Sequence, residues 1–438
     1  MVNLPADFVA ETRRIMGDER YNRFVGAFDE EAPTSIRVNP RIAIDHGPWT
    51  ILALQASRAG ADHSDSQVPW CSEGYYLQDR PQFTFDPLLH AGCYYVQEAS
   101  SMFVTHILRN CPLSIVNCQL ALDLCAAPGG KSTALRSVLP DACVLISNEP
   151  MGNRAQILLE NVTKWGGPNH IVTNNYPRDF RKAKLKFDLI LCDVPCSGEG
   201  MFRKDPNAIS EWSAQNVEKC WQLQREIVAD AWECLNPGGL LIYSTCTYNT
   251  KENEENIRWI LETYDAQVLD IPVDPSWNIT GSLLQGFNEP VYRFIPGITR
   301  GEGLFVCALR KNTRKDEGGR RKDEGGRTKE ISSADIIKNK NLKVLDPGIL
   351  LPPSSLLPPK VDVDYATALK YLRGEALVLP ADTPRGIVTI TYQGQPLGPA
   401  KNIGNRANNL YPKAWRIKST HLPTEPPEVL KKCKNLKI

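Results

Sequence analysis

The sequence predicts an α/β protein whose centre is an open, doubly wound, Rossmann-like parallel sheet. Between residues 120 and 311, short apolar segments alternate with longer segments of helical character. The apolar segments are LALDLC, CVLISNE, HIVTNN, FDLILCD and GLLIYST. Continuous apolar runs are typical of parallel strands covered on both faces, and their alternation with helices is typical of βαβ units. Such sheets bind ligands outside the carboxyl ends of their strands.

The composition divides the chain into four segments. Residues 1–95 contain a predicted amphipathic helix, ADFVAETRRIMG, and many aromatic residues, and residues 96–311 form the sheet domain. Near the end of that domain, VYRFIPGITRGEGLFVCALRK is predicted to close the sheet with an antiparallel edge. Residues 312–330 are a charged, glycine-rich linker, because the heptapeptide RKDEGGR occurs there twice in succession. Residues 331–438 form a small C-terminal domain with a helix, YATALKYL, and a hairpin, GIVTITYQGQPLGPAKNI.

Length and charge exclude several classes of protein. The chain has 438 residues and a net charge of +1, so any nucleic-acid footprint must be local. It has no apolar run of the roughly 18 residues needed to span a membrane, and its polar start does not resemble a secretory signal. Thirteen cysteines in such a chain are expected to be reduced thiols. We therefore expect a cytoplasmic protein without a membrane partner.

The loop LDLCAAPGGKS follows the first predicted strand and precedes a helix, which is where a ligand would bind. It lacks a complete P-loop, because Cys125 occupies the position of the first glycine, and it lacks the glycine pattern of a dinucleotide site. S-adenosylmethionine fits better. Its site needs an acid on the first strand, a glycine turn and an acid after the second strand, and Asp123, Gly129–Gly130 and Glu149 satisfy these requirements.

Two thiols follow the fourth and fifth predicted strands, Cys196 in DVPCSGEG and Cys246 in YSTCTYN. These strands are expected to lie side by side, so both thiols should open onto one crevice beside the methyl donor. Carbon 5 of a pyrimidine becomes nucleophilic when a thiolate adds to carbon 6, which makes this chemistry the natural use of a thiol. Asp193 precedes the first thiol and could hydrogen-bond the ring nitrogen N3. Methyltransferases that modify amino groups carry the motif D/N-P-P-Y/F at the end of this strand, and its aromatic residue stacks on the base. Here the segment reads DVPCS, so a cysteine replaces that aromatic residue, which favours methylation of carbon over methylation of nitrogen.

The cysteines also allow other interpretations. Cys192 has the pattern of a packed strand residue. Cys192 and Cys196 do not indicate a metal site, because no matching Cys/His pair follows them, and no metal is expected. Cys196 and Cys246 could also form a redox pair, although a reducing compartment disfavours it. Their spacing alone does not decide which thiol attacks.

Three long motifs resemble a known family. DLCAAPGGKS, DVPCSGEGMFRKDP and YSTCTYNTKENEENI closely resemble the Nol/Nop/Sun family of RNA cytosine-5 methyltransferases, which have a class I S-adenosylmethionine-dependent fold. RKDP, TRGEGLF and the tail GPAKNIGNRANNLYPKAWRI resemble the bacterial F-type enzymes of that family, which act on small-subunit (16S) rRNA. The resemblance spans most of the chain except residues 314–327.

The resemblance implies roles for individual residues. Cys246 would be the nucleophile, and Cys196 would help to break down the covalent adduct. Asp193 would contact both cofactor and base, and Glu149 would contact the cofactor. The loop that would hold the cofactor consists of Cys125, Ala126, Ala127, Pro128, Gly129, Gly130 and Lys131. Tyr176 stands where the family often has an aspartate near the adenine, and Asp179 could compensate.

The resemblance also implies two regions that contact RNA, an N-terminal RNA-recognition region and a C-terminal PUA-like module. Residues 384–424 contain six Lys/Arg and no Asp/Glu, with Tyr392, Tyr411 and Trp415 interleaved as possible stacking faces for bases. The alternative is a solvated basic face over an aromatic core. The RNA-binding candidates are Arg203, Lys204, Lys401, Arg406, Lys413 and Arg416.

The leading hypothesis is therefore a monomeric S-adenosylmethionine-dependent methyltransferase that acts on one cytosine of 16S rRNA. The sequence leaves open whether free rRNA or the assembled 30S subunit is the substrate. Two alternatives remain, a tRNA cytosine-5 methyltransferase and an inactive RNA-binding factor in ribosome assembly.

Overall fold

A computed structural model describes residues 2–42, 49–51, 66–111, 115–313, 331–346, 358–427 and 429–432. The RKDEGGR repeats lie outside the described residues. Within the described residues, no helix combines the length and apolar character that crossing a membrane requires.

The N-terminal unit consists of three helices, one of them short, packed beside a small antiparallel sheet. Its helices are α1 (Ala6–Met16), α2 (Asp18–Gly26) and the short α3 (Pro87–His90). Its strands are β1 (Thr34–Val38), β2 (Trp49–Ile51), β3 (Gly74–Leu77) and β4 (Tyr94–Val96), of which β1 lies between β3 and β4. The predicted amphipathic helix is confirmed as α1, which buries Phe8 and Met16. Phe24 of α2 packs edge-on against Tyr248, with ring centroids 4.8 Å apart, and so joins this unit to the central domain.

The central domain is the predicted doubly wound sheet. Its strands are β5 (Leu120–Asp123), β6 (Val144–Asn148), β7 (His170–Thr173), β8 (Phe187–Asp193), β9 (Leu235–Thr245), β10 (Ala266–Val268), β11 (Tyr292–Phe294), β12 (Leu304–Lys311) and β13 (Val344–Leu345). They lie in the order β10-β12-β9-β8-β5-β6-β7-β13, with β11 also on β12. The five strands from β5 to β9 are parallel, which confirms the predicted fold class.

The predicted antiparallel hairpin is confirmed as β11 and β12, but β12 is not an edge strand. It pairs with β9 on one side and with β10 on the other. Every residue of its LFVCAL segment is buried, as an interior strand requires.

Helices cover both faces of the sheet. They are α4 (Phe103–Asn110), α5 (Gly130–Val138), α6 (Gly152–Trp165), α7 (Pro177–Lys182), α8 (Pro206–Glu211), α9 (Ala214–Cys234), α10 (Glu254–Thr263) and α11 (Ser333–Ile337). One apolar core lies beneath α7, α9 and α10, and a second lies beneath α4 and α5. Cys192 is fully buried in the first core, so its predicted role as a packed strand residue is confirmed.

The C-terminal unit packs against the N-terminal unit. It contains α12 (Tyr365–Leu372) and the strands β14 (Lys360–Asp362), β15 (Gly386–Tyr392), β16 (Gln395–Asn402), β17 (Ala407–Asn409) and β18 (Leu430–Lys432). The predicted hairpin is confirmed as β15 and β16. Leu369 and Tyr371 of α12 share one apolar core with Leu88 and Tyr94, and β18 pairs with β2.

The aromatic residues of the basic stretch are part of that core rather than open stacking faces. Tyr392 and Tyr411 are only 6% and 3% exposed, and Trp415 is half-buried with its ring edge-on to Tyr411. The expectation that these rings stack on RNA bases was therefore wrong for the two tyrosines. The apolar area that they bury holds the C-terminal unit in place, so the two tyrosines belong to an aromatic core. Whether the basic residues around them contact RNA is a separate question.

A buried ion pair fixes the loop that follows β9. Arg293 of β11 donates through Nε to Glu254 at 2.7 Å, and it donates through a terminal nitrogen to the carbonyl of Tyr248 at 2.7 Å. Its side chain and that of Glu254 are 1% and 0% exposed. This pair holds the start of α10 against the edge of the sheet.

Glu254→Gln should lower the free energy of unfolding by about 3–5 kcal/mol, because it leaves the Arg293 guanidinium buried without a counter-charge. Urea denaturation followed by tryptophan fluorescence measures the change. Glu11→Gln is the control, since its pair with Arg14 lies on the surface and its loss should not change the midpoint detectably. Equal midpoints for both variants would contradict the structural role of the buried pair.

Candidate active site

The loop between β5 and α5 forms one wall of a cavity at the carboxyl edge of the sheet. Gly129 has a φ of +116°, a conformation that favours glycine, and it lets the chain turn directly into α5. The cavity has a volume of about 170 Å³. Its lining includes loop residues from Cys125 to Lys131, Asp123, Asp193 and, from the N-terminal unit, Tyr95 and Gln97. The exposed N–H groups at the start of α5 favour a ligand with polar or negative groups.

Two buried carboxylates beside this loop have oxygens without a hydrogen-bond partner among the described residues. Asp123 accepts a bond from Ser132 at 2.6 Å through one oxygen, and its other oxygen has none. Burial raises the pKa of Asp123 to about 7. Glu149 accepts the N–H of Met151 at 2.9 Å, while its Oε2 has no hydrogen bond and lies 3.4 Å from a nitrogen of Arg154. Buried acceptors of this kind are suited to hydroxyl or ammonium donors of a ligand.

Asp193 connects the loop to the strands that carry the thiols. Lys131 Nζ lies 2.9 Å from its Oδ2, and the hydroxyl of Ser244 on β9 donates to its Oδ1 at 2.7 Å. Both carboxylate oxygens are therefore oriented, one from each side of β8. The predicted candidates Asp193 and Lys131 lie together at the cavity.

The structure brings the two predicted thiols together. The sulfur atoms of Cys196 and Cys246 are 3.2 Å apart, and both residues are half-buried. The hydrogen bond to Cys246 and then burial raise the pKa of the Cys196 thiol well above its ordinary value. Because its pKa is raised, Cys196 carries its proton at neutral pH, next to the second thiol.

The loops that carry the two thiols approach each other closely. A Cβ added at Gly200 would lie only 2.3 Å from the carbonyl oxygen of Cys246.

Tyr176 and Asp179 lie at the start of α7. The Tyr176 N–H donates to the Asp179 carboxylate at 3.0 Å, so Asp179 caps this helix, and it also pairs with Lys182. The Tyr176 side chain is exposed and lies under the guanidinium of Arg178. A cofactor contact for either residue remains a prediction.

The predicted RNA-binding residues differ in their exposure. Lys204, Lys401, Arg406 and Lys413 are exposed, and Arg416 is half-buried. Arg203 is different, because its side chain is 5% exposed and forms an ion pair at 3.2 Å with Glu302, which is 4% exposed. Its guanidinium is used inside the protein, so the contact with RNA predicted for Arg203 is not supported by its position.

Several residues around the site were not singled out from the sequence. Tyr95 and Gln97 reach the cavity from β4 and the residues after it, although they lie more than twenty residues before the first strand of the central sheet. Glu199 and Glu252 are buried beside the two thiols. Glu199 lies in the motif CSGEG, and Glu252 lies in the motif TYNTKEN. The sequence feature that could have identified them is a carboxylate placed among small and polar residues.

Three family models match this chain. They are described as 16S rRNA methyltransferase RsmB/F over residues 111–310, N-terminal domain of 16S rRNA methyltransferase RsmF over residues 4–99, and methyltransferase RsmF PUA domain over residues 358–417.

Curated relatives carry the name ribosomal RNA small subunit methyltransferase F. The protein of Serratia proteamaculans is 33% identical over 320 residues, which are 71% of this chain and 64% of the relative. The protein of Escherichia coli O17:K52:H18 is 34% identical over 325 residues, again 71% of this chain and 64% of the relative. The protein of Cronobacter sakazakii is 30% identical over 477 residues, which cover 94% of this chain and 96% of the relative.

Two solved structures share the fold. PH0851 has a TM-score of 0.59 and 24% identity, over 70% of this chain and 66% of that chain. NSun6 from Pyrococcus horikoshii with SFG has a TM-score of 0.56 and 19% identity, over 71% of this chain and 99% of that chain.

Glu149→Ala should weaken the binding of S-adenosylmethionine, because it removes a buried carboxylate oxygen, Oε2, that accepts no hydrogen bond among the described residues. The loss should be about 1–3 kcal/mol in binding free energy, as for other buried polar groups left unpaired. Isothermal titration calorimetry on the purified chain measures it. Asp141→Ala is the control, since Asp141 pairs with Arg41 on the surface. Wild-type affinity in Glu149→Ala would remove Glu149 from the cofactor site.

Proposed function

This chain belongs to the RsmB/F family of 16S rRNA methyltransferases, and from that membership we propose that it transfers a methyl group from S-adenosylmethionine to carbon 5 of a cytosine in 16S rRNA. The order of the central sheet, the N-terminal and PUA family models and the shared fold of the solved structures confirm a class I methyltransferase with these two added domains. The division at residues 1–95, 96–311, 312–330 and 331–438 remains a prediction.

The observation that carries this proposal is the pair of thiols just after the ends of the adjacent strands β8 and β9, with their sulfur atoms 3.2 Å apart. Asp193, the last residue of β8, lines the cavity and so links it to the loop of Cys196. Transfer to an oxygen or a nitrogen uses a lone pair and needs no thiol. Carbon 5 of cytosine becomes nucleophilic only after a thiolate has bonded to carbon 6, and the two thiols suit this covalent route. When bound, S-adenosylmethionine supplies the electrophilic methyl group.

Several chain residues fit the cofactor. Glu149 Oε2 and the second oxygen of Asp123 are buried acceptors without a hydrogen-bond partner among the described residues. The loop from Cys125 to Lys131 presents the start of α5 to the same cavity. Together they provide acceptors for hydroxyl and ammonium groups, which S-adenosylmethionine carries on its ribose and methionine parts.

The two thiols have different roles. Cys246 attacks carbon 6, and carbon 5 then takes the methyl group. A base from solvent accepts the proton on carbon 5, the double bond between carbons 5 and 6 re-forms, and the bond between sulfur and carbon 6 breaks, which returns the Cys246 thiolate. Cys196 assists this breakdown, and its raised pKa supports a role as a protonated group beside the leaving sulfur. Asp193, held by Lys131 and Ser244, faces the base edge that includes N3 and the exocyclic amine.

The RNA partner is contacted by exposed basic residues of the C-terminal unit. Lys401, Arg406 and Lys413 are exposed on or near β16 and β17, and their charges attract phosphates. We infer that the chain acts as a monomer in the cytoplasm, on rRNA that is free or assembled in the 30S subunit.

Cys246→Ala should abolish both methyl transfer and any covalent adduct, because no thiolate remains to attack carbon 6. Cys196→Ala should instead trap the protein on RNA as a band that survives denaturing electrophoresis. The assay mixes each variant with radiolabelled 16S rRNA and S-adenosylmethionine. Cys192→Ala is the control, since Cys192 is fully buried in the sheet. A trapped band with Cys246→Ala would reverse the two roles, and unmethylated rRNA with the wild-type chain would contradict the proposed function.

Lys401→Ala and Lys413→Ala should each weaken RNA binding and lower its salt dependence. If each lysine contacts one phosphate, the slope of log affinity against log salt should fall by roughly 0.7–0.9 per substitution. Filter binding of an rRNA fragment over a salt series measures the slope. Lys340→Ala is the control, an exposed lysine close to β13 at the edge of the central sheet. Superimposable lines for the wild type and both variants would show that these lysines do not contact RNA.

A further inference from the structure

Two buried carboxylates link the loops that carry the thiols. Glu199 belongs to the first cysteine loop, residues 194–201, and Glu252 belongs to the second, residues 246–253. Each accepts backbone N–H groups from the opposite loop. Glu199 Oε2 accepts those of Tyr248 at 2.6 Å and Asn249 at 3.0 Å, and Glu252 Oε2 accepts that of Ser197 at 3.0 Å.

Asn249 connects the two carboxylates directly. Its side-chain nitrogen donates to Glu199 Oε1 at 2.9 Å and to Glu252 Oε1 at 2.8 Å. We call Glu199, Glu252 and Asn249 the carboxylate bridge. Two outer donors complete it, Trp212 Nε1 to Glu199 at 3.1 Å and Gln224 Nε2 to Glu252 at 2.7 Å.

Burying the two carboxylates of the carboxylate bridge costs desolvation free energy, which an apolar core would not. Glu199 is 1% exposed and Glu252 is 0% exposed, and among the described residues neither forms an ion pair. A buried charge without a counter-ion destabilises a fold unless every oxygen is hydrogen-bonded. Here each of the four oxygens accepts at least one bond, and these bonds are directional. Burial and then the charge of Glu199 raise the pKa of Glu252 to about 7, so Glu252 is only partly ionised at neutral pH, which reduces the cost of burying the pair. The hydrogen bonds of the carboxylate bridge therefore fix the positions of the two cysteine loops accurately, but they do not add much to the stability of the fold.

We propose that Glu199 and Glu252 are positioning residues of the methyl-transfer reaction, which hold the two cysteine loops in register so that Cys196 and Cys246 meet the same cytosine. This inference rests on the proposed function. The covalent route needs one thiol at carbon 6 and the other within reach of the same adduct. A displacement of one loop by about 1 Å is enough to cost about 100-fold in rate, as is typical for groups that must be aligned.

The two cysteine loops pack closely against each other, so their relative position can change only slightly. Gly200 lies against the carbonyl of Cys246, and it immediately follows Glu199 in the chain. If Glu199 lost its bonds to Tyr248 and Asn249, Gly200 would separate from Cys246 and the two sulfur atoms would move apart. The carboxylate bridge thus acts on the thiols through the backbone, and neither carboxylate has to touch the substrate.

Glu199→Gln and Glu252→Gln test the proposal with almost no change in volume. Each replaces one acceptor oxygen by an amino group that faces existing donors. We expect kcat to fall on the order of 100-fold, with the KM for rRNA and the affinity for S-adenosylmethionine within about two-fold of wild type. Asp86→Asn is the matched control, because Asp86 is an equally buried carboxylate that accepts from Leu88 N and Tyr94 Oη and contacts neither loop.

A second readout does not depend on methyl transfer. In the absence of RNA, diamide oxidises two adjacent thiols to a disulfide and takes up their two protons and two electrons. The sulfur atoms must close from 3.2 Å to the bonding distance of about 2.05 Å, so the rate reports their register. Peptide mass mapping follows the linkage of Cys196 to Cys246. We expect it to form about ten-fold more slowly in both Glu→Gln variants than in the wild type and in Asp86→Asn.

Circular dichroism and a thermal midpoint establish that each variant is folded. If a Glu→Gln variant is unfolded at the assay temperature, Asn249→Ala takes its place, since it removes the central donor and keeps both carboxylates, and it should show the same losses to a smaller degree. Folded variants with wild-type kcat and wild-type disulfide rates would overturn the proposal. A wild-type chain that does not methylate rRNA, together with slower disulfide formation in the variants, would overturn the proposed function and leave the positioning role intact.

Discussion

The parallel pairing of β8 with β9 is the constraint on which the rest of the site depends. Asp193 lies opposite Ser244 in this ladder, and the Val194 N–H continues it with a 3.0 Å bond to the Ser244 carbonyl. Because both strands run in the same direction and end in register, their loops leave from one edge and their thiols meet. The hydrogen bond from Ser244 to Asp193 then orients the carboxylate that also pairs with Lys131 of the loop between β5 and α5. One strand pair thus connects Asp193, which lines the cavity, with the loops that carry the thiols.

The N-terminal unit completes the cavity and is held to it by a buried cation. Arg37 of β1 donates to Gln97 Oε1 at 2.7 Å and to the carbonyl of Gly130 at 3.3 Å, and its guanidinium lies 4.3 Å from the centre of the Trp165 ring. The C-terminal unit packs on the N-terminal unit in turn, with a bond of 3.1 Å from Tyr365 Oη to the Phe85 carbonyl. The basic surface and the thiols are therefore connected through a continuous chain of packed elements.

The predictions of strands and hairpins were confirmed where a local sequence pattern was sufficient to define the element. The strands from β5 to β9 were predictable because each contains a continuous apolar run between helical segments. The hairpin of β15 and β16 was predictable because a glycine, Gly394, provides the turn after the strand-like segment GIVTITY. The position of β12 was not, since edge and interior strands look alike until their neighbours are known. Tyr392 and Tyr411 were misjudged for a related reason, because a ring beside basic residues can face either solvent or a neighbouring unit.

The sequence by itself determined the fold class, the glycine turn after β5 and the positions of the two thiols, because these depend on local patterns, namely apolar runs, glycine turns and residue types at strand ends. Only the tertiary structure decided which groups act together across the chain. Glu199 and Glu252 reach each other's loops over about fifty residues, and Arg203 finds Glu302 rather than a phosphate. These choices depend on distances between segments that are remote in sequence, and a carboxylate in a polar motif looks the same whether it binds solvent, a substrate or the backbone of another loop.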